Sequence, residues 1–189
     1  MLATRTLKQD EAIISEQPVF VLKDEHNDEG KRRFLKAFRQ LGEIERHELL
    51  SLYDPGEENI SFKNIEGDDD ADRALRIVYS NGIDVSQSHE QVTAVYPTLC
   101  RINHSCQANT YQRFSGENWT ITFVASREIP KGAEVTFNYL GASSVLLTRE
   151  ERRARLGKSW FFECSCQLCA LDWRLEGWRA GGLRGRSSI

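Results

Sequence analysis

Two short stretches of the chain carry side chains that could do chemistry. Residues 103–106, "NHSC", place an amide, an imidazole, a hydroxyl and a thiol next to one another. Further on, Cys164, Cys166 and Cys169 have the spacing C-x-C-x-x-C. Imidazoles and thiols bind metal ions or act in nucleophilic catalysis, and Asn-His-Ser also fits the acceptor pattern for a sugar. The residues therefore raise three hypotheses: a metal site, a nucleophilic active site and a glycosylation site.

The overall composition favours one globular domain in a reducing compartment. The chain has 189 residues, 40% of them hydrophobic, and a formal net charge of −3, which argues against wholesale binding to nucleic acid or to an anionic membrane. No apolar run approaches the roughly 20 residues that span a bilayer, and the opening segment lacks the apolar stretch of a secretory signal. We therefore expect a nuclear or cytoplasmic protein, and this location removes the glycosylation hypothesis.

The three cysteines near the C-terminus favour a metal site over disulfides. Thiols this close together pair poorly with one another, and reducing compartments disfavour structural disulfides, whereas the spacing suits one tetrahedral zinc ion. A closed zinc site needs a fourth ligand, and Cys100 and Cys106 are the two remaining cysteines of the sequence. The alternative is that the three thiols are buried as small apolar side chains.

Patterning in the first half of the chain predicts a strand followed by helices. Residues 12–20 have the β-branched and aromatic content of a strand that ends at Pro18 or just after it. One helical stripe begins near Lys31, and a second helical segment follows Gly42. The apolar residues of these two segments are Phe34, Phe38, Leu41, Leu49, Leu50 and Leu52. The acidic run at 66–72 is predicted to be a solvated loop, with an acidic docking surface as the alternative.

The second half of the chain predicts strands before one further helix. Residues 110–114 and 119–126 flank "SGEN" as a hairpin, and residues 133–139 form another strand after the turn "IPKG". The following segment, "TREERRARLG", predicts a helix with a capping box at its start and a glycine at its end. The residues concerned are Thr148, Glu151 and Gly157.

Three ordered motifs resemble those of one protein family. "RINHSC" followed by "NT", then "IPKGAEVTFNYL", then "FFECSCQLC" are similar to the carboxy-terminal half of a SET domain and its post-SET zinc segment. The resemblance is closest to the SET and MYND branch and to fungal SET-domain proteins, and it is strongest from Asn81 to Cys169. It implies an α+β, β-rich fold, in which small curved sheets surround a pseudoknot formed by the "NHSC" segment beneath a loop.

The resemblance also implies a division of the chain. Residues 1–170 would form the SET domain, with a helical insertion at 23–75 and the post-SET zinc segment at 160–170, and residues 171–189 are expected to be a disordered tail. The family usually wraps the methionine end of its cofactor with a Gly-x-Gly strand. Here the opening "MLATRTLKQDEAIISEQP" looks like the segment just after that strand. We therefore expect a SET domain without its first strand.

In this family the reaction is methyl transfer from S-adenosylmethionine to a protein lysine. By resemblance, Tyr139 is the catalytic tyrosine, and Phe137 occupies a catalytic-site position where the family carries phenylalanine or tyrosine. The residues that would contact the cofactor are Asn81, Asn103, His104, Tyr139 and Phe162. The implied roles are amide and backbone contacts for the asparagines and the histidine, and packing on the adenine for Phe162.

The resemblance assigns the fourth zinc ligand to Cys106. A structural Zn²⁺ would then be bound by Cys106, Cys164, Cys166 and Cys169, and Cys100 would be a packing residue. A cysteine nucleophile activated by His104 is disfavoured, because a thiolate already bound to zinc is a poor nucleophile.

The implied mechanism is an in-line displacement at a carbon that the sulfonium activates, so the protein supplies alignment and a neutral amine. Tyr139 would orient the amine. Phe137 lacks a hydroxyl and would leave room for a more methylated amine, which predicts capacity beyond monomethylation.

We expect a monomer that acts on a lysine of a histone or another protein and contacts neither membranes nor nucleic acid directly. The alternative is a catalytically inactive remnant of a SET domain that is held together by zinc and binds a protein or peptide.

Overall fold

The computed structural model describes residues 1–23, 28–60, 68–85 and 92–171. Within these residues, eight short strands form three small sheets beside five α-helices. The strands are β1 (Ala12–Glu16), β2 (Phe20–Lys23), β3 (Ile83–Asp84), β4 (Val92–Val95), β5 (Asn103–His104), β6 (Thr110–Ser115), β7 (Thr120–Ala125) and β8 (Thr136–Phe137). The helices are α1 (Asp28–Arg39), α2 (Glu43–Leu50), α3 (Asp69–Asn81), α4 (Arg149–Trp160) and α5 (Gln167–Leu171). None of the described helices is long and apolar enough to cross a membrane.

The three sheets differ in pairing. Two are antiparallel, with strand orders β1-β7-β6 and β2-β4-β3, and the third is the parallel pair β5-β8. The predicted hairpin is confirmed, because β6 and β7 pair antiparallel from Thr110 opposite Ala125 to Ser115 opposite Thr120. The β5-β8 pair is parallel, so it joins two segments that are distant in the chain rather than neighbours in a hairpin.

Apolar side chains from α1, α2, α3 and β2 fill one core, here called the helical layer. The predicted stripe of α1 faces this core: Phe34 stacks on Phe38 with ring centroids 5.9 Å apart and meets Phe20 of β2 edge-on at 5.4 Å. Leu49 of α2 and Ile77 of α3 complete the contact and are fully buried. Helical periodicity in the sequence thus predicted the buried side of α1 and α2, whereas α3 was not predicted.

A second core lies between the sheets. Its largest fully buried side chain is Tyr96, which follows β4 and donates its hydroxyl to the Trp119 carbonyl at 2.6 Å. Ile121 and Phe123 of β7 pack in the same cluster. This core supports the short β5-β8 pair, because Phe137 of β8 packs against Phe123 with ring centroids 4.6 Å apart.

The acidic run at 66–72 was predicted to be a solvated loop. Its described residues, 68–72, instead form the beginning of α3. Asp68 caps the helix by accepting a hydrogen bond from the Ala71 backbone N–H at 3.0 Å. The aspartates that follow occupy the first turn, where negative charge is stabilised by the helix dipole, and Asp72 is buried. Residues 66 and 67 lie outside the described residues. The prediction was wrong because aspartates favour both loops and helix N-termini.

Two of the predicted strands are clearly longer than those observed. The strand expected over 12–20 ends at Glu16, whose carboxylate turns to accept hydrogen bonds from the Thr98 and Leu99 backbone N–H groups at 2.9 Å each. Phe20 already belongs to the next strand. Of the strand expected over 133–139, only Thr136–Phe137 pairs as a ladder, since its partner β5 is equally short.

The capping box of α4 is confirmed, but the predicted glycine stop is wrong. The Thr148 hydroxyl accepts from the Glu151 N–H at 3.2 Å, and the Glu151 carboxylate accepts from the Thr148 N–H at 2.7 Å. The helix passes through Gly157 and ends at Trp160, because Phe161 takes the left-handed conformation (φ 61°) that terminates it. From residue 172 onward, the predicted tail lies outside the described residues.

Candidate functional site

A cavity of about 750 Å³ opens where the end of α3, the β5-β8 pair and the end of α4 meet. Every residue predicted to contact a cofactor or to take part in catalysis lines this cavity. These residues are Asn81, Asn103, His104, Phe137, Tyr139 and Phe162. Sequence reasoning missed Tyr53 and Trp160, which also line it. Residues from distant parts of the sequence thus converge on one space.

The parallel β5-β8 pair brings the "NHSC" segment beside the tyrosine segment. Asn103 lies opposite Thr136 and His104 opposite Phe137, and the Ser105 N–H donates to the Phe137 carbonyl at 3.0 Å. Two segments of the sequence motifs are therefore held in register by backbone hydrogen bonds.

Asn109 stabilises this pairing through side-chain hydrogen bonds, and it was not singled out from the sequence. Its amide nitrogen donates to the Glu134 carbonyl at 2.8 Å, and its amide oxygen accepts from the Thr136 N–H at 2.8 Å. The side chain is buried, so these bonds compensate the loss of water. The only signal in the sequence was its place in the "NT" that follows "NHSC".

Tyr139 lines the cavity beside two other aromatic rings. Its hydroxyl donates to the Ile102 carbonyl at 2.7 Å, and its ring centroid lies 5.2 Å from His104 and 5.3 Å from Trp160. Burial raises the pKa of Tyr139 to about 12. The phenol is therefore neutral at pH 7 and is held in a fixed orientation.

Both asparagines of the cavity wall are fixed by hydrogen bonds. The Asn81 amide nitrogen donates to the Tyr53 carbonyl at 2.7 Å and the Ile77 carbonyl at 2.8 Å. The Asn103 amide nitrogen donates to the Glu134 carboxylate at 2.7 Å.

Gly82 lets the end of α3 approach β4, since a Cβ there would lie 2.1 Å from the Thr93 methyl carbon.

The aromatic residues give the cavity its apolar walls. Phe162 follows the left-handed turn at Phe161 and lies edge-on to Tyr139, with ring centroids 6.4 Å apart. Phe137 is half-buried, with no hydroxyl to hold a water molecule. Flat apolar walls beside fixed amides are typical of a small-molecule site.

The imidazole of His104 contacts the tyrosine segment and a cysteine. Its Nδ1 accepts a hydrogen bond from the Tyr139 backbone N–H at 3.1 Å, and its Nε2 lies 3.3 Å from the Cys106 Sγ. Burial lowers the pKa of His104 to about 4. The sequence predicted a cofactor contact for this residue and did not predict this use of its ring.

The four cysteines expected to bind a metal converge. The sulfurs of Cys106, Cys164, Cys166 and Cys169 all lie within 4.8 Å of one another. The Cys106 sulfur is 3.5 Å from that of Cys169 and 3.8 Å from that of Cys164. A tetrahedral zinc ion with Zn–S bonds near 2.3 Å places its sulfurs about 3.8 Å apart, so the donor set fits this metal. Cys100 does not belong to the group, and its thiol donates to the Asn81 carbonyl at 2.9 Å.

A buried arginine lies beside the sulfurs. The Arg152 guanidinium donates to the Leu147 carbonyl at 2.7 Å and approaches the Cys169 sulfur at 3.8 Å. A positive charge here would compensate the negative charge of the thiolates if the cluster held a metal ion. Nothing in the sequence distinguished Arg152 from the other arginines of α4.

Comparison with known proteins gives one family and several relatives. A family model described as "SET domain" matches residues 1–140. The chain is 37% identical over 84 residues to mouse histone-lysine N-methyltransferase SMYD3, covering 44% of this chain and 18% of that protein. It is 26% identical over 167 residues to histone-lysine N-methyltransferase SET5 of Yarrowia lipolytica, covering 82% of this chain and 37% of that protein. The chain thus spans well under half the length of these relatives.

A solved structure shares the fold. It is the crystal structure of the SET domain of LSMT bound to lysine and AdoHcy, with a TM-score of 0.50 and 12% sequence identity. The match covers 86% of this chain and 50% of the other.

Proposed function

The chain belongs to the SET-domain family, and on this premise we propose that it transfers methyl groups from S-adenosylmethionine to lysine side chains of a protein. One observation carries the proposal: all six residues assigned from the sequence to cofactor binding and catalysis line a single cavity of about 750 Å³. Relatives named as protein-lysine methyltransferases support the reaction class, and the LSMT structure is bound to lysine and AdoHcy.

The cavity has the chemistry that this cofactor requires. An adenine ring needs a flat apolar surface, which Phe162 offers. The polar amino-acid end of the cofactor needs oriented amides, and Asn81 and Asn103 are both held by hydrogen bonds at the cavity wall. When bound, the cofactor supplies a methyl group activated by its sulfonium.

Tyr139 is the residue that we propose orients the lysine amine. Its hydroxyl proton is donated to the Ile102 carbonyl, so the oxygen presents lone pairs to an amine N–H. The amine must be neutral to attack, and the apolar walls formed by Phe137 and Trp160 lower its pKa by desolvation. Alignment of the amine and the lowering of its pKa are thus supplied by the chain's own residues.

Phe137 sets the space beside the amine in this proposal. Its ring packs on Phe123 and lines the cavity without a hydroxyl. A tyrosine at this position would hold a water molecule where further methyl groups must fit. We therefore expect products beyond monomethyl-lysine.

The four cysteines would hold one structural Zn²⁺. Two of the sulfur–sulfur distances, 3.5 Å and 3.8 Å, are close to that of a tetrahedral zinc site, all four sulfurs lie within 4.8 Å of one another, and all but Cys166 are buried. Such a metal contributes folding free energy and takes no part in methyl transfer.

The substrate we propose is a lysine in a histone or another protein, since SMYD3 and SET5 are named histone-lysine methyltransferases. We further propose that the protein acts as a monomer in the nucleus or cytoplasm, without direct contact with nucleic acid.

Replacement of Tyr139 by phenylalanine tests the mechanism. With labelled S-adenosylmethionine and core histones or a cell extract, Tyr139→Phe should lower kcat by about 100-fold, while calorimetry shows cofactor affinity within about 3-fold of wild type. Tyr111→Phe removes a hydroxyl from β6, outside the cavity lining, and should leave kcat unchanged. A Tyr139→Phe variant as fast as wild type would overturn the assigned role. Wild-type protein that binds no cofactor would overturn the activity itself and favour the inactive binding module.

A further inference from the structure

The imidazole of His104 stands between the cavity and the cysteine cluster, and both of its nitrogens are engaged. Nδ1 lies 3.1 Å from the Tyr139 backbone nitrogen, and Nε2 lies 3.3 Å from the Cys106 sulfur. The ring is half-buried and contacts the Tyr139 ring at a centroid distance of 5.2 Å. A single side chain thus joins the two parts of the site.

The Tyr139 contact determines where the imidazole carries its proton. A backbone N–H is always a donor, so Nδ1 must be the unprotonated, accepting nitrogen. The proton of a neutral ring then lies on Nε2, which points it at the Cys106 sulfur. A doubly protonated ring would direct two N–H groups at each other across 3.1 Å. The geometry therefore favours the neutral Nε2–H form.

We infer that His104 is a positioning residue through which the metal-bound thiolate of Cys106 holds the backbone of Tyr139 in place. The inference rests on the metal site proposed above and does not depend on methyl transfer taking place. Cys106 fixes the ring by accepting from Nε2–H, and the ring fixes Tyr139 by accepting its N–H.

The short sheet explains why Tyr139 needs this support. The β5-β8 ladder ends at His104 opposite Phe137, so Tyr139 lies two residues beyond the last paired position. Its backbone N–H is held by the imidazole instead of a strand. Movement of this backbone would carry the hydroxyl away from the Ile102 carbonyl, which it reaches at 2.7 Å.

The cluster also requires such a donor. Four thiolates around a divalent cation carry a net charge of −2, and a buried charge of this size is stabilised by hydrogen bonds to the sulfurs. Arg152 approaches the Cys169 sulfur on one side, and His104 approaches the Cys106 sulfur on another. Replacing such a donor near a metal typically costs 10-fold to 100-fold in metal affinity.

Three substitutions of His104 separate its two contacts. In His104→Asn, the amide oxygen can replace Nδ1 as the acceptor for Tyr139, but the donor to sulfur is lost. In His104→Gln, the amide nitrogen can replace Nε2 as the donor to sulfur, but the acceptor is lost. In His104→Phe, both contacts are lost while a ring remains. Metal affinity should fall about 10-fold in the Asn and Phe variants and stay within about 3-fold of wild type in the Gln variant.

Amide hydrogen exchange of Tyr139 supplies the second readout. The exchange rate in the metal-loaded protein should rise at least 10-fold in the Gln and Phe variants and stay near the wild-type value in the Asn variant. Removing the metal from the wild type should also raise it, because the imidazole then loses its anionic acceptor. Equal effects of the Asn and Gln substitutions on both readouts would reduce His104 to a packing residue and overturn the inference.

NMR of ¹⁵N-histidine-labelled protein tests the proton position directly. The Zn²⁺-loaded protein should show His104 as the Nε2–H form, and the ¹¹³Cd²⁺-loaded protein should show a coupling between cadmium and Hε2 across the hydrogen bond. An Nδ1–H form would overturn the inference. Neither measurement uses cofactor or substrate, so a protein without methyl transfer activity can still confirm it, and an active protein can still contradict it.

Discussion

The helical layer and the cysteine segment, defined as residues 149–171 together with Cys106, differ in what fills their interiors. The helical layer buries large apolar side chains from each of its three helices, α1, α2 and α3. Among them are Phe34, Phe38 and Ile77. In the cysteine segment, the buried residues described are three cysteines, Leu156 and Arg152. Each large apolar side chain contributes about 1.5 to 3 kcal/mol on burial. The helical layer can therefore be stable through packing alone, whereas the cysteine segment has few such side chains and would gain stability from a metal ion bound by its four cysteines.

Removal of one sulfur should have the largest effect and should be confined to one region. Cys164→Ser takes away a ligand that is buried in the cluster, so we expect metal affinity to fall at least 1,000-fold, as the large binding free energy of structural zinc allows. Amide exchange should then accelerate throughout α4 and α5 while α1 and α3 stay protected. Metal analysis after dialysis and hydrogen exchange measure the two outcomes.

Cys100→Ser is the matched control, since Cys100 lies outside the cluster and donates to the Asn81 carbonyl, a bond that serine can also make. It should leave metal content unchanged. Loss of protection in α1 and α3 of Cys164→Ser would show that the two regions are not independent.

Truncation of a buried ring tests the opposite region. Phe34 is 0% exposed and contacts both Phe38 and Phe20, so Phe34→Ala should lower the free energy of unfolding by about 3 to 5 kcal/mol. Metal affinity of the folded protein should change less than 2-fold, as measured by chelator competition. Ile44→Ala, at a position 74% exposed in α2, should change stability by at most about 0.5 kcal/mol.

A smaller, electrostatic effect is expected from an ion pair between α3 and the segment that follows α2. Arg76 of α3 donates to both oxygens of Asp54, at 2.9 Å each, and the two side chains are 10% and 19% exposed. Asp54→Asn should cost about 2 kcal/mol at pH 7, measured by urea unfolding. Glu57→Gln, at a carboxylate 81% exposed and 3.6 Å from Arg76, should cost at most about 0.5 kcal/mol.

The same pair predicts a pH dependence. The hydrogen bonds from Arg76 hold the pKa of Asp54 below its ordinary value, so the stabilisation is present above the unfolded-state pKa of about 3.9 and is lost as the pH falls through the lower folded-state pKa. The stability difference between wild type and Asp54→Asn should therefore shrink below about pH 4. A constant difference down to pH 2 would exclude the pair as its source.

Local rules predicted much of the molecule. The spacing of Phe34 and Phe38 indicated which side of α1 is buried, and Thr148 with Glu151 indicated where α4 begins, because periodicity and capping depend on residues close in the sequence. The cavity residues and the cysteine ligands came from family motifs, and the described residues bring both sets together.

The remaining features depend on contacts between distant residues. The end of α4 depends on the left-handed turn at Phe161 rather than on Gly157. The Asn81 amide is held by Tyr53, 28 residues earlier. The hydrogen bond that His104 Nδ1 accepts from the Tyr139 backbone requires the folded position of Tyr139, which is 35 residues away. Neither propensity nor spacing contains this information.

The separation of Cys106 from the other three cysteines has a consequence for the order of folding. Cys106 precedes Cys164 by 58 residues, and closing a loop of that length costs roughly 3.6 kcal/mol of chain entropy. The three clustered cysteines can bind a metal as soon as their short segment is present. The fourth bond of the proposed metal site would have to wait until β5 is placed by its neighbours. Completion of the metal coordination should therefore be a late, non-local event that reports that the intervening sheets have formed.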